Sequence, residues 1–395
     1  MTTSALMDNY GNRTLTLVKG DGCRVWDADG KEYLDALAGI AVCGLGHCHP
    51  AVTTAIIKQA SQLLHTSNLY NLPPQQQAAE LLCELSGMEK VFFSNSGAEA
   101  NEAAIKIARK YGNEKNIATP TIITTTGSFH GRTMATLSAT GNDKVKVGFT
   151  PLVTGFLEVP YDDIDAIKKQ IGNPNIVAIL VEPVQGEGGI QIPDAAYLHQ
   201  LREICDQQDW LLMLDEIQTG NGRTGHYYAF QQYDFLPDVL TTAKGLGNGM
   251  PIGACLTQGK TSTILQPGNH GSTYGGNPVA CAAVSAVLNT IKEQQLCQRA
   301  QQLGEYFNQR LQATLLSNTK VKEIRQKGLM IGIELNTPCA ELVQQAADYG
   351  LLINVTAGSV IRLLPPLIMT NAQADTVISI LTTLIEALPN QAATL

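Results

Sequence analysis

The chain contains no uninterrupted apolar run of roughly 18–20 residues, the length a helix needs to cross a bilayer, so no membrane span is expected. It also lacks any basic block. Its 27 lysines and arginines stand against 35 aspartates and glutamates, a formal charge of −8. A partner with a long phosphate backbone is therefore excluded as the expected ligand. Small acidic substrates remain open, because a few local arginines decide their binding. The nine cysteines are scattered, without a C-x-x-C pair or the tight spacing of a disulfide scaffold. They read as free, mostly buried thiols in a reducing compartment. The first residues, MTTSALMDNYGNR, do not have the charged-then-apolar layout of a secretory signal. A cytoplasmic location is expected. Repeats, low-complexity tracts and long linkers are absent as well.

What is present is a chain of 395 residues, 44% hydrophobic, enough for one large domain and a smaller one. From about Pro50 helical patterns alternate with short apolar runs: KVFFS, TIITTT, NIVAILVEP, WLLMLDE and PIGACLTQ. Strands that are apolar throughout and alternate with helices predict a mainly parallel sheet covered on both faces. The stretch GAEANEAAIKIARKYG predicts a helix with Ala100, Ala103, Ala104, Ile107 and Ala108 on one face and Gly112 near its end. Beyond about Asn277 long helices and shorter strands predict a small α+β domain. The expected division is residues 1–50, joining the small domain, then 51–276, then 277–395 with a long connecting helix.

Several strand ends carry chemistry. WLLMLDEIQTG ends in Asp215 and Glu216, where ligands of open α/β sheets bind, although such acids often do no more than cap a turn. FFSNSGAEANEAA passes from strand through Ser96 and Gly97 into a helix, a ready anion site or a plain serine cap. TTTGSFHGRT sets Phe129, His130 and Arg132 together, an aromatic face beside an arginine, or core packing for Phe129. In VLTTAKGLGNGM, Lys244 precedes its glycines, the reverse of a P-loop. Pro251 then rules out the helix that a dinucleotide fingerprint requires. GHCHP invites a metal reading, but neighbours in an extended strand point apart, and a turn before a helix at Pro50 is the better explanation; no metal is expected.

Taken together these ends offer an amide nest for a phosphate, an aromatic to stack on, a carboxylate for a ring nitrogen and a lysine for an aldehyde. Pyridoxal 5'-phosphate needs that set. A nicotinamide dehydrogenase lacks its fingerprint here, and a binding protein without catalysis has no use for Lys244. The motifs GIAVCGLGHCHP, FFSNSGAEANEAAIKIARK, FHGRT, EPVQGEGG, DEIQTGNGRTG, TTAKGLGNGMPIGA, HGSTYGGNP and VIRLLPPL resemble the class III aminotransferases over essentially the whole chain. The resemblance implies a fold-type I transferase: a large domain with a mainly parallel seven-stranded sheet between helices, plus a small α+β domain. It implies that Lys244 binds the cofactor aldehyde and shuttles the proton, with Asp215 on the pyridine nitrogen and Gln218 on the ring hydroxyl. Ser96, Gly97 and Ala98 would hold the phosphate and Phe129 would stack. Glu216 and Ile217 would join the cofactor site, and Thr273 would complete it across a homodimer interface.

For substrates, the resemblance assigns Arg132 and Ser272 to a distal carboxylate and Arg362 to the α-carboxylate of glutamate. Glu187 would neutralise Arg362 until glutamate displaces it. The acetylornithine branch of the family fits better than the ornithine branch, which uses an early tyrosine to meet a free α-amine. No tyrosine occurs between Tyr33 and Tyr70, although Cys43 stands where the acetylornithine branch often has asparagine. The expected reaction moves the terminal amine of N2-acetyl-L-ornithine to 2-oxoglutarate. Ornithine, succinylornithine, succinyl-diaminopimelate and 4-aminobutyrate are the alternative amine donors.

Overall fold

The structure, a computed structural model, describes residues 5–11 and 13–389. Strands β1 (Leu17–Asp21), β2 (Arg24–Asp27) and β3 (Glu32–Asp35) open the chain as an antiparallel meander. The central sheet is built from β4 (Lys90–Ser94), β5 (Thr121–Thr125), β6 (Phe156–Val159), β7 (Ile176–Val181), β8 (Leu211–Asp215), β9 (Val239–Thr242) and β10 (Gly253–Thr257). Its order is β4-β10-β9-β8-β7-β5-β6, and only β10 runs against the others. Every residue of β7, β8 and β9 is buried, which is why those runs are apolar without alternation. The remaining strands are β11 (Val321–Lys327), β12 (Met330–Leu335), β13 (Leu351–Leu352), β14 (Asn354–Thr356) and β15 (Val360–Leu363). An antiparallel sheet in the order β11-β12-β15-β14 takes four of them.

β13 instead pairs in parallel with β3, matching Leu351 to Leu34 and Leu352 to Asp35. The first strands and the C-terminal region therefore share one sheet. Among the described residues no helix is long and apolar enough to cross a membrane.

The helix Gly97–Glu114 crosses the central sheet on small residues: Ala100, Ala103, Ala104 and Ala108 are fully buried. Gly112 is near its end, as the pattern suggested. It lies inside the helix, where a β-carbon would come within 2.7 Å of Pro120 and Val177. Close approach, not a left-handed cap, requires glycine there. A second unpredicted feature is a left-handed turn at residues 38–41, with φ of 52°, 64°, 63° and 63°. Left-handed backbone costs roughly 1–2 kcal/mol for each residue other than glycine. Asp35 offsets part of this by accepting the N–H groups of Leu37 (2.9 Å) and Ala38 (2.8 Å). Its other oxygen meets His47 at 2.8 Å. The turn delivers Val42 to the wall of the cavity described next.

Candidate active site

The carboxyl ends of β4, β5, β7, β8 and β9 converge on a cavity of about 390 Å³. From β4 the chain enters the helix Gly97–Glu114 through Ser96, whose hydroxyl accepts the Glu99 N–H at 3.2 Å. Glu99 closes the turn in return by accepting from the Asn95 backbone at 2.6 Å. The serine cap and the anion site therefore coexist, since Ser96, Gly97 and Ala98 all line the cavity. Gly97 and Ala98 head the helix, where N–H groups lack intrahelical partners and favour negative charge. A β-carbon on Gly97 would sit 2.7 Å from Ile217, another lining residue.

The loop after β5 presents Phe129, with the Arg132 guanidinium 5.6 Å above its ring. The Phe129 N–H donates to Glu182 at 3.1 Å. At the end of β8, Asp215 is 3% exposed and accepts three hydrogen bonds, from Asn101, His130 and the Ile217 backbone. Glu216 does not join it. Its carboxylate turns away from the cavity to accept from the Thr219 hydroxyl (2.6 Å) and from the Ala229 and Phe230 N–H groups (both 2.8 Å). Alternation along an extended backbone sends neighbouring side chains to opposite sides, so one of the two acids became a loop clamp. Burial lifts the Glu216 carboxyl to about 7, against the pull of those donors.

Lys244 follows β9 in a left-handed conformation, φ 42°, and its amine lines the cavity. Burial lowers its pKa, while Glu187 and Asp215 oppose that shift. A lysine held nearer neutrality is a competent nucleophile and proton carrier. Gln218 also lines the cavity, and its side-chain oxygen is buried without a partner. Gly186 is held to glycine by that side chain, which a β-carbon would meet at 1.8 Å.

Two acids from the loop after β7 complete the wall. Glu187 meets Arg362 of β15 at 2.5 Å. Arg362 is 1% exposed and is held from its other side by Asn354 of β14, at 3.0 and 2.7 Å. Burial on its own would raise the Glu187 carboxyl, but the Arg362 guanidinium brings it below its ordinary value. Glu182 has no such partner. Burial, with Asp215 nearby, pushes its carboxyl well above the carboxylate range. Sequence reasoning gave no role to Glu182, Asn101, Asn354 or Val42. The motif EPVQGEGG contained Glu182, and its place at a strand end was the available signal; Asn354 lay in no motif.

Ser272 and Thr273 lie elsewhere. They line an adjacent cavity of about 520 Å³ with Lys106 and His270, and Ser272 accepts from the Asn95 amide at 3.1 Å. Within one chain neither reaches the Lys244 cavity. Among the described residues no cluster of three potential metal ligands occurs, and His49 heads the helix Pro50–Ala60.

A half-buried lysine, an acid at a strand end, an amide nest and an aromatic wall, set on the carboxyl edge of a mainly parallel sheet, define a cofactor-dependent transferase. The chain matches the class-III aminotransferase family over residues 6–385 and belongs to it. It is 53% identical to the acetylornithine aminotransferase of Nitrosomonas europaea, over 97% of this chain and 98% of that one. Among solved structures, the ornithine aminotransferase of Toxoplasma gondii, which has partial occupancy of PLP at its active site, superposes with a TM-score of 0.92. That match has 36% identity and covers 95% of this chain and 91% of that one. The acetylornithine aminotransferase of Elizabethkingia anophelis gives 0.87 at 35% identity, covering 97% and 96%.

Proposed function

We propose that the chain transfers the terminal amino group of N2-acetyl-L-ornithine to 2-oxoglutarate, giving N-acetyl-L-glutamate 5-semialdehyde and L-glutamate, with pyridoxal 5'-phosphate bound beside Lys244. The observation that carries this reading is the Glu187–Arg362 pair in the wall of the lysine cavity. A two-substrate transaminase must hold a glutamate α-carboxylate in one half-reaction and hide the same cation in the other. A buried, unpaired arginine would be costly, and Glu187 neutralises it until a substrate carboxylate takes its place.

The residues fit the cofactor. The unpartnered Gln218 side-chain oxygen suits a ring hydroxyl, the Gly97 and Ala98 N–H groups with Ser96 suit a phosphate, and Phe129 and Ile217 wall the ring. When bound, the cofactor supplies an aldehyde to accept the amine and a protonated ring to withdraw electrons from the reacting carbon. Asp215 keeps a proton on the ring nitrogen. With the cofactor bound, Lys244 would be the base that takes the proton from the substrate carbon and hands it back as the amino group is transferred. Arg132 meets the distal carboxylate, and Ser272, which does not reach this cavity within one chain, joins it from a second copy.

We also assign Thr273 to the phosphate of a second copy, which makes the homodimer the active unit. The division at residues 50 and 276 is a proposal as well, as is a cytoplasmic location. An acylated amine is favoured over free ornithine because the turn at residues 38–41 presents apolar Val42 to the cavity and no tyrosine occurs between Tyr33 and Tyr70. Two measurements test the reading. Borohydride should fix cofactor to the peptide bearing Lys244, and Lys244→Ala should abolish both that label and turnover. An amine-donor panel with 2-oxoglutarate should favour acetylornithine over ornithine, succinylornithine, succinyl-diaminopimelate and 4-aminobutyrate. A marked preference for free ornithine overturns the substrate assignment and leaves the chemistry intact.

A further inference from the structure

Asn101 sits mid-helix in Gly97–Glu114 and is 0% exposed. Asparagine is a poor helix former, and a buried amide must fill two donor sites and an acceptor or cost stability. Here all three are filled, from two strands of the central sheet and the loop after β5. One N–H donates to Asp215 Oδ2 at 2.7 Å, and the other to the His130 carbonyl at 2.8 Å. The amide oxygen accepts from the Thr241 hydroxyl at 2.7 Å. Thr241 is also the cross-strand neighbour of Asp215 between β8 and β9.

The arrangement allows one amide orientation. Turning the amide over would set its oxygen against a carboxylate and a carbonyl at once. The carboxylate and the carbonyl therefore select the orientation, Thr241, placed by the sheet register, holds the amide oxygen in it, and Asn101 fixes Asp215. Asp215 Oδ2 also meets His130 Nδ1 at 2.8 Å, so that oxygen is occupied by two donors. Oδ1 accepts only the Ile217 N–H, at 3.1 Å, and keeps a lone pair for the cavity.

We propose that Asn101 is a positioning residue for the reaction: by holding Asp215 Oδ2, and being held itself by Thr241, it aims Asp215 Oδ1 at the ring nitrogen of the cofactor. The inference rests on the cofactor reading above. It differs from a structural role for Asn101, in which the amide would merely tie helix to sheet and its loss would lower the melting temperature alone.

The test uses the full-length protein with Asn101→Leu, which removes both donors, and Thr241→Val, which keeps them but releases the amide oxygen. Pyridoxal phosphate affinity, the pH profile of bound-cofactor absorbance, and kcat and KM for each half-reaction are measured. So are the His130 imidazole ¹⁵N signals of the cofactor-free protein. Asn101→Leu should weaken cofactor binding and lower kcat by about tenfold or more, the worth of a hydrogen bond to a charged group, with KM nearly unchanged. Thr241→Val should show the same signature at about threefold, smaller because only a neutral hydrogen bond is lost. In both variants the His130 signals should shift even without cofactor.

A folded Asn101→Leu protein with wild-type affinity, pH profile, kcat and His130 signals overturns the proposal. If that variant does not fold, wild-type behaviour of Thr241→Val overturns it instead. Failure of the cofactor reading is distinguishable, because the unaltered protein would then bind no pyridoxal phosphate.

Discussion

Glu182 and Glu187 leave the same strand and line the same cavity, but only Glu187 meets a cation, and it is the more exposed of the two, its side chain at 35%. Glu182, 5% exposed, accepts a single backbone N–H, and its carboxyl is raised by burial. Glu187 would be raised by burial too, yet Arg362 brings it down. Desolvation pushes both acids toward the neutral form, and the partner decides which one keeps its charge. That partner comes from β15, in a different sheet. The charge state of the cavity therefore depends on how the two sheets are docked.

The comparison can be broken from the cation side first. Arg362→Ala strands Glu187 and removes the grip on an α-carboxylate. Truncating one member of a buried charge pair costs about 2–5 kcal/mol, so kcat/KM for glutamate should fall by about 10³-fold. The acetylornithine half-reaction should lose roughly tenfold, the share due to the stranded carboxylate alone. Single-turnover rates with each amine decide this, and equal losses would count against the switch. Glu187→Gln is the next largest effect. It leaves Arg362 charged without an anion, so acetylornithine should react on the order of 10–100-fold more slowly while glutamate is spared.

Glu182→Gln should change least, because glutamine copies a protonated acid in size and polarity. Its effect lies in the pH dependence of stability. The folded-state pKa of Glu182 lies above that of the unfolded chain, so its contribution is intact below about pH 4.3 and is lost progressively as pH rises toward the folded value. Melting temperatures measured across that window should therefore decline less steeply for Glu182→Gln than for the wild type. Parallel curves would mean that Glu182 is charged in the native protein.

Much of this frame was legible in the sequence. The apolar runs of β7 and β8 read as strands buried on both faces, with Asp215 at the end of one of them; only the structure adds the β8–β9 register that sets Asp215 beside Thr241, three residues short of Lys244. What escaped has a common cause. Asp215 and Glu216 are adjacent acids, and only the loop near Phe230 shows which of them is a clamp. Asn101 looked like one more polar residue in a helical pattern, because its partners lie 29, 114 and 140 positions away. The left-handed turn carries alanine and isoleucine, so no glycine signature announced it beyond Gly39.

The parallel pairing of β3 with β13 has a consequence for synthesis. Leu34 finds Leu351 only after more than three hundred further residues have been made. Asp35, which secures the turn carrying Val42, stands in that same register. In a chain still being translated, the substrate wall cannot close until the end of the message has nearly been read.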